Sequence, residues 1–113
     1  MVDKNFNPDR GDFIWLDFNP QAGHEQSGRR PALVISPKIY NSKTGLCLLC
    51  PLTTKIKGYP FEVEITGINN LNGVLLADQI KSLDWRVRKA EFIAKAKPAI
   101  LREVTALLNS LIN

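Results

Sequence analysis

Nine residues, GHEQSGRRP from Gly23 to Pro31, hold the chain's one histidine, a carboxylate and two consecutive arginines, with no hydrophobic residue among them. A segment with nothing to bury is ordinarily a solvated connection, and connections are also where reactive groups are presented. Three other places offer groups that could act with it. Thr53 and Thr54 end an apolar run just before Lys55 and Lys57, which puts hydroxyls amid positive charge. Asp78 and Gln79 follow GVLLA, and a carboxylate at the end of a buried strand is either a paired structural charge or a site residue. Trp85 stands among Lys81, Arg86 and Arg88, and Tyr59 stands beside Lys55, Lys57 and Phe61, so flat rings alternate with cations.

These types suit transesterification at a ribose-linked phosphate. That reaction needs a base near the 2′-hydroxyl, donors or cations around the crowded phosphorus, and an acid for the departing 5′-oxygen. A pair of histidines is excluded, because His24 is alone. Carboxylate, arginine or hydroxyl groups must therefore share the work: His24 or Glu25 as proton carriers, Arg30 as a bidentate phosphate clamp, and a threonine hydroxyl as donor. The plainer alternative is a surface loop whose arginines make exposed ion pairs. The mixture of rings and cations suits single-stranded nucleic acid, whose unpaired bases stack while its backbone follows positive charge. Its plainer alternative is core aromatics with lysine stems laid over them.

Short strands must position these groups. GDFIWLDF is a continuous apolar run of strand length after a polar arm over residues 1–10, and PALVISP is a second buried strand bounded by prolines. KIYNSKTG is a turn or a single helical turn, and LCLLCP is a third strand. FEVEIT alternates, with Phe61, Val63 and Ile65 inward and Glu62, Glu64 and Thr66 outward. In NNLNG, the pair Asn72-Gly73 signals a hairpin leading into GVLLADQI, antiparallel to FEVEIT. The stretch 81–97 holds six basic and two acidic residues, with AEFIA as a short last strand. Pro98 opens a helix whose Ile100, Leu101, Val104, Leu107, Leu108, Leu111 and Ile112 form one apolar face, expected to cover the core. Five or six strands and one terminal helix, without βαβ spacing, predict a small twisted antiparallel barrel, mainly β with α, over one domain of 113 residues.

Composition is consistent with a globular domain: 44% hydrophobic and 23% charged, with a net charge of +4 that suits a polyanionic partner. No apolar run approaches the ~20 residues needed to cross a bilayer, and the polar start does not resemble a secretion signal, so a cytoplasmic location is expected. Cys47 and Cys50 invite a redox or zinc reading, but residues three apart on a strand face opposite sides and no second cysteine pair exists. They are expected to be plain buried thiols.

The segments GDFIWLDFNPQAGHEQSGRRPALVISPKIYN, CPLTTKIKGYPFEVEI and GVLLADQIKSLDWRVR together resemble the MazF/PemK toxins of bacterial toxin–antitoxin pairs, from about Gly11 to Arg88, with the helix continuing the likeness more loosely. The resemblance implies a homodimeric, metal-independent, sequence-specific endoribonuclease that cuts single-stranded mRNA to leave a 2′,3′-cyclic phosphate and a 5′-hydroxyl. It implies no cofactor, a Src-homology-3-like barrel shared with the gyrase poison CcdB, an antitoxin with an acidic disordered tail, and contact with DNA only through the antitoxin complex. The family's E-Q-x-G-x-R-P pattern falls on Glu25, Gln26, Gly28, Arg30 and Pro31, and its P-x-T threonine on Thr53. Arg30 and Thr53 are then the principal catalytic pair, assisted by Glu25 and His24. Kid/PemK relatives place an arginine two residues before an aspartate on a later strand. Asp78 matches the aspartate, but Leu76 stands where the arginine would be. Arg29, Lys55, Lys57, Tyr59, Gln79, Lys81, Trp85, Arg86 and Arg88 are the expected RNA contacts, with the antitoxin tail over 85–89 and 55–57. A CcdB-like protein poison and a non-catalytic RNA-binding module are the rival readings. The chain ends NSLIN, lacking the tryptophan-containing tail of the former.

Overall fold

The computed structural model describes residues 5–19 and 28–113. The strands are β1 (Asp12–Asp17), β2 (Arg29–Val34), β3 (Leu46–Thr53), β4 (Glu62–Ile68), β5 (Leu71–Leu76), β6 (Lys81–Asp84) and β7 (Glu91–Lys95); the helices are α1 (Lys38–Thr44) and α2 (Pro98–Ile112). Every pairing is antiparallel, in the order β4-β5-β3-β2-β1-β7, with β6 added to β3 beside β5. The sheet curls into an antiparallel half-barrel, as the strand pattern predicts.

β3 is the pivot. One of its edges meets β2 through Leu49, Cys50 and Pro51, while the other meets β6 over Leu46–Leu49 and then β5 at Leu52 and Thr53. Its side chains feed two cores, because successive strand residues point to opposite faces. Cys50 and Leu52 join Phe13, Leu33, Val63, Ile65 and Leu75, whereas Cys47 and Leu49 join Ile14, Leu16, Val34 and Trp85. The two thiols thus lie on opposite faces, and burial pushes both up to about 12, with Asp84 adding to the rise for Cys47 and Asp78 for Cys50.

Helix α2 closes the first core. Val104 and Leu108 are buried, Ile100, Leu101 and Leu107 pack beside them, and Leu111 and Ile112 project into solvent at 49% and 76% exposure. Burying an aliphatic side chain of this kind contributes about 2 kcal/mol, so the first three turns hold the helix in place. Lys97 supplies no side-chain cap, and Pro98 fixes the start through its ring.

Four local expectations change. Residues 5–10 are not a loose arm: Pro8 is fully buried, the Asn41 amide donates to its carbonyl at 2.9 Å, and Phe6 packs edge-on to Phe92. KIYNSKT forms two turns of helix, ended by Gly45 at φ 74°. The hairpin turns at Asn69 and Asn70, both at positive φ (44° and 63°) between the paired Ile68 and Leu71, not at Asn72-Gly73. Gly73 lies inside β5 for another reason: a Cβ there would sit 2.3 Å from the Thr53 carbonyl oxygen. Finally, Lys81–Asp84 is a strand, because the free edge of β3 beyond β5 accepts one.

Candidate active site

Arg30 is a strand residue rather than part of a loop. It pairs with Leu16 of β1, Arg29 pairs with Asp17, and β2 therefore begins two residues before Pro31. Pairing with β1 fixes the backbone at Arg30 and holds its side chain more closely than a loop would. Thr53, the last residue of β3, is 3% exposed and pairs with Val74; its Oγ1 accepts the Lys55 backbone N–H at 3.2 Å.

Arg30 and Thr53 line one cleft of about 230 Å³. Trp15 from β1, Thr54, and Asn70 and Asn72 from the β4–β5 hairpin complete its polar and aromatic wall. His24, Glu25 and Gln26 lie outside the described residues. The stem of their segment is well defined: the Phe18 N–H donates to Gly28 at 2.8 Å, the Gly28 N–H donates to the Asn19 side chain at 3.0 Å, and the Arg88 guanidinium donates to the Asp17 and Asn19 carbonyls at 3.0 and 2.8 Å.

The other candidate residues divide into three groups. Arg29 braces strands: its guanidinium meets Asp17 at 3.0 Å, Glu91 at 3.2 Å and the Lys89 carbonyl at 2.9 Å, although it also lines the cleft. Lys55 and Lys57 stand exposed on the loop after β3, which Glu62 shapes by accepting the backbone N–H groups of Lys57 and Gly58 at 2.9 and 2.8 Å. Tyr59, on the same loop, donates its hydroxyl to Asp78 at 2.8 Å; burial first, and then this bond, push the phenol up to about 12. Asp78 thus faces the loop and is not part of the wall of the cleft.

The third group lies away from the cleft. The ring of Trp85 is 7% exposed, its indole N–H donates to the Asn41 carbonyl at 3.0 Å, and Arg86 stacks above it at 5.0 Å while donating to the Ser42 carbonyl. The expectation of an open stacking ring at Trp85 is not met: the indole is part of the second core. Lys81 is half-buried on β6, and Gln79 is half-buried with its Oε1 enclosed and unpartnered among the described residues.

Sequence reasoning missed Trp15, Asn70 and Asn72. Trp15 sits in an unbroken apolar run, which hides its 37% exposure, and the two asparagines were taken up by turn chemistry.

A two-strand cleft with an arginine and a buried hydroxyl can bind an oxyanion and stabilise charge developing on it. The family model for the PemK-like, MazF-like toxin of type II toxin–antitoxin systems matches residues 9–112. The chain belongs to that family. Among its relatives, the Endoribonuclease toxin MazF of Escherichia coli K12 is 52% identical over 105 residues, covering 93% of this chain and 94% of that protein. The crystal structure of MazF (Form-I) from Deinococcus radiodurans superposes with a TM-score of 0.92 at 54% identity, over 96% of this chain and 98% of that one. The MazE-MazF (Form-II) crystal structure from the same organism gives 0.84 at 47% identity, over 96% and 97%. The matched span of this PemK-like, MazF-like toxin contains both strands that carry the cleft.

Proposed function

We propose that this chain is the toxin of a type II toxin–antitoxin pair and an endoribonuclease that cuts single-stranded RNA. The observation that carries this reading is that Arg30 and Thr53, from strands far apart in sequence, share one cleft in a protein 52% identical to a named endoribonuclease. In the reaction, a ribose 2′-oxygen attacks the adjacent phosphorus and the bond to the 5′-oxygen breaks. The 2′-hydroxyl proton passes to a base, for which Glu25 and His24 are the candidates, and a proton reaches the leaving 5′-oxygen. Products are a 2′,3′-cyclic phosphate and a 5′-hydroxyl. Arg30 stays charged throughout and stabilises the crowded phosphorane, and the Thr53 hydroxyl donates to a non-bridging oxygen. No step calls for a metal ion.

The strand-held arginine fits this division of labour, because stabilisation of a transition state depends on donors that need no rearrangement as charge develops. Lys55 and Lys57, exposed on the loop that follows the cleft residues Thr53 and Thr54, attract the RNA backbone. The partner is an antitoxin, as the MazE-MazF structures of a 47% identical relative support; an acidic disordered tail would compete with RNA for the same cations. The toxin works in the cytoplasm as a homodimer. Incubation with a long single-stranded RNA in EDTA, followed by mapping of cut positions and end groups, tests the proposal. Discrete cuts ending in cyclic phosphate are expected. RNA that shifts in a gel yet stays intact would leave only a binding module.

A further inference from the structure

Two neighbouring asparagines at the β4–β5 turn behave differently. The Asn69 amide donates to the Ile93 carbonyl at 2.9 Å, which ties the hairpin tip to β7. Asn70 instead lines the cleft with Arg30 and Thr53, and among the described residues its side chain makes no hydrogen bond; only its carbonyl is engaged, by the Asn72 amide at 3.4 Å. Gly73 brings the hairpin against the end of β3, so close that no Cβ fits beside the Thr53 carbonyl. The result is a primary amide, with donor and acceptor both open, held on a pinned two-residue turn next to the phosphate-binding pair.

We infer that Asn70 is a specificity-determining residue: its amide reads the edge of the base flanking the cleaved phosphate. The inference rests on the endoribonuclease reading. An amide offers a donor and an acceptor side by side, which matches the paired acceptor and donor on a base edge, whereas a phosphate can use only the donor. Unpaired bases expose those edges, and the half-exposed ring of Trp15 on the same wall supplies a flat face for the base to lie against. A cleft of about 230 Å³ has room for one flat ring and little more. Asn69 is the positioning residue in this arrangement, since its bond to β7 keeps Asn70 from swinging away.

The test is cleavage of an RNA pool randomised around the cut, with cut-site base frequencies counted for the full-length wild type, Asn70→Asp and Asn70→Gly. Both replacements tolerate positive φ, so the turn survives; circular dichroism checks this. Aspartate removes the donor and glycine removes both groups. The expected result is that both variants cut, with at least about tenfold weaker preference at one base beside the cleaved bond and unchanged preferences elsewhere. Two results would overturn the inference while leaving the proposed activity standing: wild-type preferences in both variants, or folded variants that cut nothing. Absence of cleavage by the wild type itself would instead remove the endoribonuclease reading and this inference with it.

Discussion

Arg30 and Thr53 owe their placement to strand ends, and each can be tested by the smallest change that removes its function. Arg30→Ala deletes a half-buried guanidinium from the wall of the cleft, so cleavage of RNA by the folded variant, its fold checked by circular dichroism, should fall by at least about a thousandfold, since a transition-state clamp is worth several kcal/mol to the reaction. Thr53→Val keeps shape and burial but loses the oxygen that accepts the Lys55 N–H; it should lose both activity and about 1 kcal/mol of stability, whereas Thr53→Ser should retain most of both. The cysteines give a different residue-scale outcome. With both thiols buried and pushed up to about 12, iodoacetamide at neutral pH should leave the native protein unmodified for hours and label two sites once urea unfolds it. Arg30 and Thr53, which share the cleft, were legible in the chain because each stands in a short local motif. The cleft's far wall was not: Asn70 lies forty residues from Arg30 and shares its cleft only through the pairings of β5 with β3 and of β3 with β2, which no local pattern encodes.

Among the elements, β5 shows how one residue type can carry two meanings. Gly73 follows asparagine and so advertises a turn, yet it sits within a strand where the Thr53 carbonyl leaves no space for a side chain. Gly73→Ala should therefore cost about 3 kcal/mol in urea unfolding, from overpacking and from the φ of 144°, and should reduce cleavage in the surviving folded fraction because the displaced backbone carries Thr53. Alternation exposed β4 and helical spacing exposed α2, since both bury one face only. β6 escaped because KSLD has no pattern of its own; it is a strand only because β3 extends past β5 and leaves an edge to fill. The added length of α1 has a similar origin in the buried Asn41, whose amide ties Pro8 and Ser36 together and whose carbonyl receives the Trp85 indole.

At the scale of the whole molecule, the N-terminal segment is fastened by carboxylates, and that makes its attachment sensitive to acid. The Lys38 backbone N–H, donating to Asp9 at 2.9 Å, is the main reason the Asp9 carboxyl lies below its ordinary value, with the Arg10 N–H and Lys95 assisting against the opposing effect of burial. The fold therefore favours the charged form. Its stabilisation is complete above the unfolded carboxyl's value of about 4 and fades as pH falls through the lower folded value. Urea midpoints measured from about pH 5 down to about pH 2.5 should decline, and Asp9→Asn should be less stable at the upper end and decline less steeply; parallel curves would show that Asp9 contributes nothing to the slope.

β3 touches β2, β5 and β6 and ends in Thr53. A strand locked between partners on both edges releases its amides only when the entire sheet comes apart. The strand that leads to the seat of the chemistry is therefore expected to be among the last places to loosen.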